Sequence, residues 1–124
     1  YNAAISACEK GGYWQHAFAL LQSMHDGTVW PNTTSYNAAI SACEKGKHWE
    51  LALELLKECK TWTTPNTISY NATTSACEKA GHWELALELL KECKTWTTPD
   101  TISYSAAISA CDKSGEWWYA LAFL

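Results

Sequence analysis

The chain has 124 residues, one domain's worth, with 48% apolar residues and a formal charge of −4. No stretch reaches the roughly 18 apolar residues of a membrane span, so no span is expected. All nine basic residues are Lys and none is Arg, a balance that argues mildly against a dedicated nucleic-acid binder while leaving room for a local basic stripe.

In chain order, the block YNAAISACEK at Tyr1 returns unchanged at Tyr36, as YNATTSACEK at Tyr70 and as YSAAISACDK at Tyr104, at spacings of 35, 34 and 34 residues. A unit of that length is one supersecondary element that cannot bury its apolar face alone, so neighbours must stack. The expectation is a single all-α array over residues 1–124, an α-solenoid of about three and a half units. The repeats are 1–35, 36–69, 70–103 and a truncated 104–124. The chain opens and stops inside repeats and carries no targeting segment. It is therefore expected to be a piece of a longer array.

In the second unit Tyr36, Ala39, Ile40 and Cys43 mark one helical face, which predicts a first helix near 34–45. Thr34 and Ser35 offer N-cap oxygens, and Gly46 suits a left-handed C-terminal position. Trp49, Ala52, Leu53 and Leu56, widened by Leu51 and Leu55, predict a second helix near 48–60. Thr61–Thr64 is a poor helix continuation, and Pro65 keeps Thr64 out of the helical region. The third unit replaces Ala39 by Thr73, Ile40 by Thr74, Gly46 by Ala80, Lys47 by Gly81 and Asn66 by Asp100. Thr74 at a core position needs a partner for its hydroxyl, such as the carbonyl four residues back.

Six cysteines fall into two repeat columns, Cys8/Cys43/Cys77/Cys111 and Cys59/Cys93. Equivalent small positions in a repeat favour core thiols over disulfides, and no Cys or His spacing suits zinc. Trp14, Trp49, Trp83 and Trp117 open second helices and are expected to anchor one unit on the next. Trp30, Trp62 and Trp96 lie in loops, where exposed rings could form a contact edge. His16, His25, His48 and His82 form no catalytic constellation. No enzyme activity, metal, cofactor or small-molecule substrate is expected.

The succession Tyr-Asn-Ala-Ala-Ile, Cys-Glu-Lys-Gly, Trp-Glu-Leu-Ala-Leu-Glu-Leu-Leu and Pro-Asn or Pro-Asp resembles the pentatricopeptide repeat (PPR) family, in a Ser-Ala-Cys-Glu-Lys-type variant, over the whole chain. A tetratricopeptide match fails because the Trp opens the second helix rather than the first. The resemblance implies a right-handed superhelix, an organellar location (plastid or mitochondrion) and single-stranded RNA read one base per repeat. It also implies base-reading residues Asn2 with Asn32, Asn37 with Asn66, Asn71 with Asp100, and Ser105. Asn-Asn and Asn-Asp pairs resemble pyrimidine readers, with Asp pointing to U. Base clamps would be Thr34, Ile68 and Ile102, and phosphate contacts Lys10, Lys45, Lys79 and Lys113. Each of these lysines has an adjacent acid, Glu9, Glu44, Glu78 or Asp112, that weakens its field. An Asn between Pro and Thr is equally a cap or turn residue, and a Lys at a helix end complements the dipole without RNA.

Two functions follow. The favoured expectation is a non-catalytic scaffold docked on protein subunits of a large organellar assembly, such as a photosystem, respiratory complex or ribosome. It draws on the acidic balance and on contacts through Trp30, Trp62, Trp96, Trp118 and Phe123, the last two in an apolar end that needs capping or docking. The alternative is sequence-specific binding of pyrimidine-rich single-stranded RNA.

Overall fold

The computed structural model describes residues 14–27, 31–113 and 115. Six helices follow one another: α1 Trp14–Asp26, α2 Thr33–Lys45, α3 Trp49–Trp62, α4 Thr67–Lys79, α5 Trp83–Trp96 and α6 Thr101–Lys113. No strand occurs among the described residues. The even-numbered helices are the first helices of units two to four. The predicted bounds hold to within two residues. The second helices run on through Trp62 and Trp96, and in α3 Thr61 Oγ1 donates to Lys57 O at 3.1 Å across the last turn. Extended backbone at Thr63 and Thr97 then ends them, before Pro65 and Pro99.

The first helices start differently from the expectation. Thr34 and Ser35 lie inside α2, and Asn32 is the N-cap. Its Oδ1 accepts the Ser35 N–H at 2.9 Å, and its own N–H donates to Ser35 Oγ at 3.2 Å. This reciprocal box meets two of the orphan donors of a helix start. Asn66 with Ser69 repeats it, as does Asp100 with Ser103.

The turn inside each unit also shifts by one residue. Gly46 has φ −82° and is not left-handed; Lys47 is, at φ 61°, as are Gly81 at 83° and Gly115 at 77°. The bonds Lys47 N–H to Glu44 O and His48 N–H to Cys43 O define the paired closure of a Schellman turn, in which the residue after the cap takes positive φ. Gly46 is needed for space instead: a Cβ there would sit 2.5 Å from Trp14 Cδ1. Lys47→Gly removes the left-handed penalty of a side chain. It should stabilise the protein by about 0.5–1 kcal/mol in urea unfolding.

Units stack through a continuous core. Tyr36, Ile40, Leu21, Leu55, Leu56, Cys43 and Cys59 are buried to within 2%. All five described cysteines, Cys43, Cys59, Cys77, Cys93 and Cys111, are buried thiols outside any disulfide, as the columns imply. Burial pushes the Cys43 thiol up to about 12 and those of Cys59 and Cys77 to about 11, so they stay protonated and inert. The expected Thr back-bond falls one residue early. Thr73 Oγ1 donates to Ser69 O at 2.8 Å, whereas Thr74 makes no such bond. Trp14 tilts against His48 with ring centroids 3.8 Å apart, and Trp49 against His82 at 4.1 Å, so each Trp anchors on the next unit's turn.

The two helix layers pack unequally. α2 lies directly on α4, and α4 on α6, and the small residues Ala38 and Ala72 line the groove between the first two. The outer helices α3 and α5 do not approach each other in the same way. Leu53, Leu56, Leu85 and Leu89 stand in the crevice between them, and Lys60 Nζ bridges it to Glu92 at 2.8 Å. Thin side chains inside and thick ones outside bend the array toward its first helices.

Candidate nucleic-acid interface

The inner face is a stripe along each first helix. Residues three and four apart share a face, so Thr34, Asn37, Ala38 and Ser41 line up on α2, and Ile68, Asn71, Ala72 and Ser75 on α4. Between the two helices lies an open groove of about 280 Å³ lined by Thr34, Asn37, Ala38, Ser41, Asn66, Ile68 and Ala72. The proposed clamp and readout residues of this unit thus share one depression. Ile68 and Ile102 are 62% and 64% exposed, unusual for Ile and available to cover a flat apolar surface.

The paired residues are not merely near each other. Asn37 Nδ2 donates to Asn66 Oδ1 at 3.1 Å, and Asn71 Nδ2 donates to Asp100 Oδ1 at 3.1 Å. The buried hydroxyl of the next unit's N3 serine links them: Ser69 Oγ donates to Asn37 Oδ1, and Ser103 Oγ donates to Asn71 Oδ1 at 2.6 Å. The cap residue of one first helix is therefore held by the helix before it. A backbone N–H can only donate, so the oxygen of Asn66 must face Ser69 N, which fixes the amide's orientation. The Ser103 N–H, followed by the Asn71 amide, holds the Asp100 carboxyl below its usual range, so it is an anion at neutral pH.

The other sites divide. Asn32 caps α2, and Ser105 stands exposed on α6. Asn2, Lys10, Trp30, Trp118 and Phe123 lie outside the described residues. Trp62 and Trp96 are 53% and 41% exposed, but they end α3 and α5 instead of lying in loops; Trp62 sits 5.4 Å from the His25 ring. Lys45, Lys79 and Lys113 are exposed at the helix ends. Lys79 and Lys113 do not pair with the adjacent acid. Lys79 Nζ meets the Glu44 carboxylate, and Lys113 Nζ lies 2.5 Å from Glu78 Oε2, each reaching into the preceding unit. Sequence reading missed this, although an acid beside a helix C-terminus, against the dipole, was a signal. Among the described residues, no helix is long and apolar enough to cross a membrane, and no His, Cys, Asp or Glu cluster could hold a metal.

No curated protein sequence matches the chain. Among solved structures, it is similar to the PPR domain of protein-only RNase P 1 from Arabidopsis thaliana, determined in complex with tRNA. The TM-score is 0.80 at 17% identity, covering 100% of this chain and 68% of that one. That likeness is one of fold. The family model described as PPR repeat matches residues 1–27, 34–62 and 68–96, well over half the chain. With the helix pairs in the same register, the chain belongs to the pentatricopeptide repeat family.

Proposed function

We propose that the array is a non-catalytic module that binds single-stranded RNA along its inner face, one base per unit. The observation that carries this reading is the bonded pair at each described seam, Asn37 with Asn66 and Asn71 with Asp100. Exposed residues flank these pairs, Thr34 and Ile68 around the first, Ile68 and Ile102 around the second. The likeness to a PPR domain crystallised with tRNA supports it. The competing scaffold reading rests on the acidic balance and the Trp edge, and neither comparison lends it a protein partner.

The seam chemistry gives each unit a preference. Oδ1 of Asn66 and of Asp100 is taken by the cap and by the preceding Asn. What is left to a base is Nδ2 of Asn66, a donor, and Oδ2 of Asp100, an acceptor. A donor suits the N3 lone pair of cytosine, and an acceptor suits the N3–H of uracil.

Asp100→Asn keeps the cap and the shape but turns the acceptor into a donor. Filter binding of U- and C-containing strands should show the U-over-C preference at this unit fall roughly ten- to hundredfold. An unchanged preference would sink the reading. Because the folded carboxyl is depressed, the stabilisation it brings is present above the unfolded value of about 3.9 and is lost as pH falls through the folded one. The wild-type preference should therefore hold from about pH 5 upward.

A further inference from the structure

Glu44 and Glu78 are the penultimate residues of α2 and α4, where the helix dipole disfavours an acid. Both are well covered, with side chains 14% and 12% exposed, whereas the lysines they hold are 48% and 60% exposed. The acid is set into the seam and the following unit's lysine leans back onto it. The arrangement recurs after one period, so it belongs to the repeat rather than to one loop.

These lysines extend the groove. Lys79 follows Ser75 by four residues and Asn71 by eight, so all three lie on one helix face. A phosphate chain crossing that face would meet cations already matched by anions. Phosphate contacts add affinity without sequence information, whereas base contacts carry the information.

We propose that Glu44 and Glu78 restrain Lys79 and Lys113 from a bound strand's phosphates, which lowers the sequence-independent part of the affinity and leaves binding to lean on base edges. This rests on the RNA reading above. The test uses the whole chain with oligo(U/C) and oligo(A) single strands over a salt series, with thermal melts to check folding. Glu44→Gln/Glu78→Gln keeps the side-chain shape and removes the charge. It should tighten binding to both strands by about the same factor, severalfold at low salt, because a phosphate contact carries no sequence information. The slope of log K against log salt should steepen by about 0.7 per lysine released, roughly 1.4 for two. Removing each pair together, Glu44→Gln/Lys79→Gln with Glu78→Gln/Lys113→Gln, takes away no net charge and should leave the wild-type slope nearly unchanged; a shallower slope there would overturn the inference. A wild-type chain that prefers pyrimidines, with a Glu variant of identical slope and affinity, defeats this inference alone. A wild-type chain that binds neither strand at low salt defeats the RNA reading and this inference together.

Discussion

Ser69→Ala is expected to lower the unfolding free energy by about 2–3 kcal/mol, far more than an ordinary Ser-to-Ala change on a helix. Ser69 is fully buried at the N3 position of α4. Its Oγ accepts from Asn66 N–H at 3.0 Å and donates to Asn37 Oδ1. Truncation leaves that N–H and that oxygen without partners, one on each side of the seam. The Ser69 N–H still reaches Asn66 Oδ1 at 3.2 Å, so α4 should begin at the same residue. The loss would fall on the junction between units. Urea unfolding followed by circular dichroism measures it, and a change below about 0.5 kcal/mol would show that the bridge adds nothing to stacking. In strand binding, the same variant should blunt base preference at this unit, because Asn37 is no longer held.

Leu56→Ala should cost about 2–5 kcal/mol. Leu56 is 2% exposed and shares the outer crevice with Leu53, Leu85 and Leu89. The outer helices are already held apart there, so the site has little means of collapsing, which places the cost toward the upper end. In a one-dimensional array each unit contacts only its neighbours, and the loss is concentrated at one seam. The unfolding transition should therefore broaden as well as shift, with units two and three melting less cooperatively. A sharp transition displaced by under 1 kcal/mol would show that α3 and α5 are not coupled through this crevice.

Columns of repeated residues made the helix pairs and the buried thiols legible. When Tyr36 and Tyr70 recur with Cys43 and Cys77 in step, periodicity and core are the same observation. Features decided by backbone geometry were off by one. Gly46 stood where a left-handed glycine is customary, yet the closure of the turn gives that conformation to Lys47, whereas the third and fourth units, with Gly81 and Gly115, match residue to conformation. The cap was assigned to Thr34 and Ser35 because hydroxyls next to the apolar run were the nearest candidates. Asn32 competes better, since its carboxamide spans to Ser35 while Ser35 answers it. The paired readout positions came from family likeness, and they do meet. That they are also the fastening between units was invisible, because Ser69 and Asn37 are 32 residues apart. The same distance problem hid the partners of Lys79 and Lys113.

The close packing of α2, α4 and α6 has a metrical consequence. Helices separated by small side chains repeat at about 8–10 Å, whereas bases stacked along one strand repeat at about 3.4 Å. A strand laid one base per unit must therefore be extended well beyond its stacked spacing, and the inward bend of the array brings the inner faces closer together than the helix axes. The array is a ruler with graduations coarser than the object laid against it. On the RNA reading proposed above, every base would first be parted from its neighbours, and sequences that stack weakly, such as pyrimidine tracts, would give up least in the parting. Selection by stretch would then act before any hydrogen bond to a base is made.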